Sequence, residues 1–187
     1  MILVTQKNQY IVSPRLQSWE YGAEKTKRNR FNGFRNFMSH SLTKIWIHAV
    51  FGTKNIEPMI HQNLESKVYR HVQDHLEKDF ECTVRAINGM PDHLHILFLL
   101  NPNFAVKDIL KNVKGESSHW VNQENLTKIK FAWQTGYGAF SVSESNVEKV
   151  YRYIQNQKKH HKTKTFAEEY EEFMKKHGLP FLRETDA

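Results

Sequence analysis

The sequence has one cysteine, Cys82, which excludes an internal disulfide framework and any cysteine-rich zinc site built from one chain. That usage fits a reducing compartment. No apolar run approaches the roughly 20 residues of a membrane span. The opening Met1-Ile-Leu-Val-Thr-Gln lacks the basic start and long apolar stretch of a signal peptide. The expectation is therefore a cytoplasmic protein with no membrane partner. No internal repeat or low-complexity segment is present, and 187 residues suffice for one domain that buries a real core without staples.

What the chain has is positive charge, +7 in all, with a pI near 9.4. A basic balance points to an acidic partner, nucleic acid first. The charge is uneven, however. Residues 1–37 hold seven Lys/Arg against two acids, and the remaining 150 hold 20 against 18. Within this first stretch, Glu24 to Phe37 interleaves cations with phenylalanines. It reads as a nucleic-acid arm, as a disordered tail, or as upstream sequence before a start at Met38.

From Met38 onward the elements alternate. Thr43–Phe51 reads as a strand with both faces apolar. A helix follows from Ile60 to about Lys78, with Leu64, Val68, Val72 and Leu76 at helical spacing. Its His71 and His75 have metal-like spacing but read as boundary residues of the core stripe. Phe80–Ile87 is a second strand, and Asn88-Gly89 signals a hairpin into a third. Phe104 to about Gln123 is a second helix; Lys107, Lys111 and Lys114 lie on one flank, either solvated or set for DNA. Phe131–Val142 is the fourth strand region, with Gly136 and Gly138 marking a bend, bulge or close approach. Trp133 and Tyr137 are candidates for base stacking, with core packing the default for Trp133. Strand, helix, strand, strand, helix, strand is the split βαβ order. It predicts an α+β, ferredoxin-like antiparallel sheet with two helices on one face.

The third strand carries the chemistry. In His93-Leu-His-Ile-Leu-Phe-Leu-Leu100, alternation puts Leu94, Ile96, Phe98 and Leu100 on one face and both histidines on the other, about 7 Å apart. Two imidazoles on one face are half of a metal site or simply two solvated residues. A later helix supplies possible partners. Ser145 and Glu148 form a capping-box pattern, and the helix continues from Asn146 to His161. Val147, Val150, Tyr151 and Ile154 form its buried stripe. Tyr153 lies roughly 110° off that stripe, with Gln157 one turn later on the same edge and His160 continuing it. A tyrosine can be a covalent nucleophile if helped, and a glutamine carbonyl can complete a three-ligand site with His93 and His95. Lys149, Arg152, Lys158, Lys159, Lys162 and Lys164 make the helix locally basic, which suits a phosphate substrate. His48 faces the same side if the first strand neighbours the third. Thr165 to Lys176 reads as a short acidic helix with Phe166, Tyr170, Phe173 and Met174 as its apolar stripe.

These residues resemble the HUH single-tyrosine transposases of bacterial insertion sequences, the TnpA type, and the related REP-associated tyrosine transposases. The resemblance rests on His93-Leu94-His95, Tyr153-Ile-Gln-Asn-Gln157 and His160-His161. It also rests on the opening from Ser39 to Lys54 and the closing Phe166-Ala-Glu-Glu-Tyr170 with His177-Gly178. Residues 1–37 fall outside it. It implies a catalytic domain over 38–164, with the tyrosine helix at 145–162 and a short C-terminal helix and tail at 165–187. It further implies Mg²⁺ or Mn²⁺ held by His93, His95 and Gln157, and no nucleotide cofactor. Tyr153 would be the nucleophile, forming a 5′-phosphotyrosine link in single-stranded DNA with terminal hairpins, in a homodimer. Apart from the resemblance, the basic helix offers Lys149, Arg152, Lys158, Lys159, His160 and His161 as candidate DNA contacts, and His48 is either a DNA or ligand-orienting residue or a strand-surface histidine. A non-catalytic nucleic-acid-binding module, a relaxase or replication initiator, and a domesticated relative are the alternatives.

Overall fold

The computed structural model describes residues 42–160, 166–176 and 178. The extension 1–37, His161, Lys162, Lys164 and His177 lie outside the described residues. The elements are β1 (Trp46–Gly52), α1 (Gln62–Lys78), β2 (Thr83–Met90), β3 (His93–Leu99), α2 (Val106–Gln123), β4 (Gly138–Val142), α3 (Val147–Gln155), α4 (Gln157–His160) and α5 (Phe166–Lys176). The strands form one antiparallel sheet in the order β2-β3-β1-β4. This is the ferredoxin-like arrangement that the element order predicts. β1 and β3 occupy the centre. All of β1 is buried, and all of β3 except its last residue.

The two faces of the sheet differ. On one, Ile47, Ala49 and Phe51 of β1 and Leu94, Ile96 and Phe98 of β3 meet the helices. α1 contributes Leu64, Val68, Val72 and Leu76, and α2 contributes Ile109, Leu110, Val113 and Val121, each set one or two turns apart. Full burial of each large side chain is worth about 1.5–3 kcal/mol, so this face dominates stability. His71 and His75 serve the packing: His71 stacks on Trp120 at 4.0 Å and meets Glu116 Oε2 at 2.6 Å, and His75 pairs with Asp79. On the other face a smaller cluster of Trp46, Ala86, Leu97, Val147 and Ile154 seats α3.

Three boundaries differ from the sequence expectation. The continuous fourth strand covers only Gly138–Val142, and residues 132–134 make a separate antiparallel bridge beyond the end of β1, Trp133 opposite Thr53, with the N–H groups of Lys54 and Gln134 donating to the carbonyls of Ala132 and Gly52 at 2.9 Å. Before it, Phe131 and Trp133 turn into the helix-side core, Trp133 donating its indole N–H to Ser117 Oγ at 2.9 Å, and Lys114 takes the carbonyls of Thr135 and Gly136. Gly138 is a close approach: a Cβ there would lie 2.9 Å from the Phe140 ring and 3.0 Å from Val50, whereas one at Gly136 would meet open space. The capping box does not form either. Ser145 sits inside a tight turn, Glu144–Asn146, that precedes α3. Glu144 accepts hydrogen bonds from Lys44 (2.8 Å) and Trp46 (2.9 Å), which ties that turn to the start of β1. Glu148 turns outward to Arg152 and Arg85. Finally, the tyrosine helix is not one rod. α3 ends at Gln155, Asn156 leaves helical geometry (φ −93°, ψ 12°), and α4 starts at Gln157.

Candidate active site

The site lies on the histidine face of the sheet. Strand alternation sends His93 and His95 away from the apolar core, as expected, but neither is solvated: they are 0% and 1% exposed. Each ring has its Nδ1 engaged. His93 Nδ1 lies 2.7 Å from Asp92 Oδ1, and His95 Nδ1 lies 3.1 Å from His48 Nε2. Partners of that kind fix a ligand imidazole's orientation and direct its Nε2 elsewhere. Here both Nε2 atoms converge on one carboxylate, Glu169 Oε2, at 3.6 and 3.7 Å.

Glu169 is the residue that the sequence reading misses. It sits on α5, is buried, and accepts a hydrogen bond from Gln157 Nε2 at 3.1 Å through its second oxygen. Burial pushes its carboxyl up to about 7; His93 opposes this, while Asp92 and Glu172 add to it. A signal exists in the residues. Phe166, Glu169, Tyr170 and Phe173 follow the i, i+3, i+4, i+7 spacing of a buried stripe. An acid within such a stripe is a functional candidate, because an ionised carboxylate is seldom buried without a partner.

The donor set suits a divalent ion. His93, His95 and Glu169 offer ligand atoms within 4.8 Å of one another. Gln157 is fully buried, and its Oε1 has no hydrogen-bond partner among the described residues. An orphaned buried carbonyl oxygen beside two imidazoles and a carboxylate is what a metal ligand looks like before the ion is present. The carboxylate also biases the set toward harder ions than imidazoles alone would select.

Tyr153 reaches the same place. Its ring stands perpendicular to His95 with centroids 5.8 Å apart, lies 6.1 Å from His48, and has its hydroxyl buried. Tyr151, two residues away, points elsewhere, beneath the Arg85 guanidinium at 4.6 Å. The tyrosine helix is held by β2: Asn88 Nδ2 donates to the carbonyls of Ile154 (2.8 Å) and Gln155 (3.3 Å), and Asn88 is the register partner of His95. α5 roofs the site. Phe166 stacks on His93 at 4.2 Å, and Phe173 lies 5.0 Å from His48 and 6.0 Å from Tyr153. The gap among Val50, His95, Phe166, Glu169, Tyr170 and Phe173 is too tight for a water molecule.

The other residues nominated from the sequence divide. His48 is a buried partner of His95 rather than a surface group. Lys149, Arg152, Lys158 and Lys159 are exposed. Arg152 pairs with Glu148 at 3.1 Å and Lys158 with Glu65 at 2.5 Å. His160 ends α4, and its side chain, like His161, lies outside the described residues.

Comparison with known proteins agrees with this architecture. The family model described as "Transposase IS200 like" matches residues 41–157, and the chain belongs to that family. The chain is similar to the ISDra2 transposase TnpA of Deinococcus radiodurans, 32% identical over an aligned length of 108 residues, with 48% of this chain and 76% of that protein covered. Among solved structures, it resembles a candidate transposase from Deinococcus radiodurans R1 (TM-score 0.50, 20% identity, 71% of this chain and 98% of the other). It also resembles a REP-associated tyrosine transposase bound to a REP hairpin (TM-score 0.50, 16% identity, 66% and 74%). The fold is the α+β fold of these two solved transposases. Among the described residues, no helix is long and apolar enough to cross a membrane.

Proposed function

We propose that this transposase cleaves and rejoins single-stranded DNA through a covalent link to Tyr153. The observation that carries the reading is the convergence, within one chain, of the Tyr153 ring, the two histidines and the Gln157–Glu169 pair at one buried point. His93, His95, Gln157 and Glu169 are the residues that would hold Mg²⁺ or Mn²⁺. When bound, such an ion draws negative charge off a non-bridging oxygen of the scissile phosphate. Tyr153 supplies the nucleophile. Its phenolic oxygen bonds to phosphorus as the bond from phosphorus to the 3′ oxygen breaks. The leaving oxygen takes up a proton and becomes a 3′-hydroxyl, and the 5′ end stays on the tyrosine. Attack by a different 3′-hydroxyl reverses the step and joins new ends. One phosphodiester is exchanged for another, so no nucleotide cofactor is needed.

His48 and Asp92 orient the two imidazoles, and Asn88 holds the helix that presents the tyrosine. Because α5 fills the space above the histidines, entry of a phosphate requires α5 to shift. The hairpin in the REP-associated neighbour supports hairpin-ended single strands as substrate, and the proposed assembly is a homodimer.

The test is incubation with labelled single-stranded DNA from the flanks of the gene, with and without Mn²⁺. The expected product is a metal-dependent covalent adduct that survives denaturation, is lost in Tyr153→Phe and is retained in Tyr151→Phe. An adduct that persists in Tyr153→Phe overturns the assignment.

A further inference from the structure

A second feature lies on the opposite, helix-covered face of the sheet. Lys107, Lys111 and Lys114 are spaced by four and three residues on α2, so their side chains share one flank. They line an open pocket of about 390 Å³ whose far wall is residues 132–137, including Trp133 and Tyr137. The pocket has three ammonium groups and no carboxylate on its lining. Lys114 is built into it: it is buried, donates to the carbonyls of Thr135 (3.0 Å) and Gly136 (2.7 Å), and lies 5.6 Å from the rings of Phe51 and Tyr137. Lys107 and Lys111 stand exposed at the mouth.

What distinguishes these lysines from the cations of the tyrosine helix is that all three line one pocket. On the tyrosine helix, Arg152 and Lys158 are paired with Glu148 and Glu65, Arg85 of the neighbouring β2 shares Glu148, and Lys149 and Lys159 stand exposed. On α2, none of the three lysines has an ion pair among the described residues. Uncompensated cations converging beside aromatic rings are the footprint of a single-stranded nucleic-acid contact, cations for phosphate and rings for bases. The pocket is also placed to share a strand with the histidine site. Its wall leads directly into Gly138, which pairs with Val50, which in turn pairs with His95. Two strand spacings separate Gly138 from His95, about 10 Å across the sheet, and β4 is an edge that a strand can pass around.

We propose that this pocket is a second DNA-contact site, taking one nucleotide of the single strand whose scissile phosphate lies at the histidines. The phosphate sits against Lys107 and Lys111, and the base lies on Tyr137 beside Trp133. The proposal rests on the reading that the substrate is single-stranded DNA.

The test is fluorescence anisotropy with a labelled oligothymidylate across a salt series, using intact protein carrying Tyr153→Phe so that only binding is read. Both mouth lysines are exposed, so the double variant Lys107→Ala/Lys111→Ala leaves the core alone. The expected result is weaker binding, with the slope of log K against log salt flattened by about 0.7 for each phosphate no longer neutralised. A control, Lys67→Ala/Arg70→Ala, removes the same charge from the exposed face of α1 and is expected to leave the slope near that of the parent. In a second arm, a strand bearing 5-iodouracil is photocrosslinked, and the adduct is expected on the peptide containing Trp133 and Tyr137. Equal weakening in the double variant and the control, an unchanged slope, or crosslinks confined to β3 and α3 overturn the pocket while leaving the histidine chemistry standing. Parent protein that binds no single strand overturns both.

Discussion

The two faces of the sheet use the same strands for opposite purposes. The helix-covered face is apolar along β1 and β3, and each large side chain there touches others of its kind. The histidine face buries His48, His93, His95, Gln157 and Glu169 among a handful of apolar residues. Burying so many polar groups is unfavourable unless they are paired or hold an ion. One face is therefore built for stability, and the other keeps its chemistry at some expense to stability.

The comparison can be tested by its largest expected effects first. Phe98→Ala, on the apolar face, is expected to cost about 3–5 kcal/mol in chemical denaturation. His95→Leu, one face over and three residues away, is expected to change stability without metal by no more than roughly 1 kcal/mol in either direction, while abolishing Mn²⁺ binding and the covalent adduct. A large drop in stability in His95→Leu would mean that the histidines are structural. Next in size is a pH effect. Glu169 is raised to about 7 from an ordinary value of 4.5, so the unfolded chain gives up its proton first. Its contribution to the stability of metal-free protein is complete below pH 4.5 and is lost as pH rises through 7, by at most about 3 kcal/mol. Melting curves over that range should flatten in Glu169→Gln, and added Mn²⁺ should restore stability at the upper end only when Glu169 is present.

Smaller effects sharpen the comparison. Asn88→Ala removes the hydrogen bonds that hold the end of α3 and is expected to cost about 1 kcal/mol. Mn²⁺ affinity should change little, because no proposed ligand is removed, whereas adduct formation should slow as Tyr153 loses its fixed position. If the adduct rate is unchanged, Asn88 does not position the helix. Arg152→Ala, which breaks an exposed pair with Glu148, is expected to shift stability by less than about 1 kcal/mol, and its effect on DNA affinity should be smaller than that of the α2 lysines.

Much of this is legible in the residues, for physical reasons that can be named. The alternation in His93–Leu99 can be read because a strand buried on one face must keep its apolar residues in phase. The order of elements points to the sheet order, and the offset of Tyr153 from the Val147–Ile154 stripe separates it from Tyr151. What cannot be read depends on tertiary contacts. Ser145 and Glu148 have the spacing of a capping box, but Trp46 and Lys44 compete for the adjacent Glu144, and the turn forms instead. Residues 131–137 look like one strand, yet the pairing is interrupted between the bridge at Trp133 and the start of β4, where Lys114 takes the carbonyls of Thr135 and Gly136. Glu169 is easily passed over because its neighbours Phe166, Tyr170 and Phe173 suggest simple packing. Only when α5 is seated on β3 does the acid in that stripe meet the histidines.

The break at Asn156 has a mechanical consequence. On an unbroken helix, Tyr153 and Gln157 would be spokes of one rotor, and any roll that swung the nucleophile toward phosphorus would swing the amide by the same angle. With α3 ending at Gln155 and α4 beginning at Gln157, the two stand on different helical segments. A roll of α3 would then move the hydroxyl without requiring the amide to leave Glu169. Under the proposed mechanism, in which one DNA end is released and another accepted, a joint at that position would let the nucleophile be repositioned without disturbing the amide.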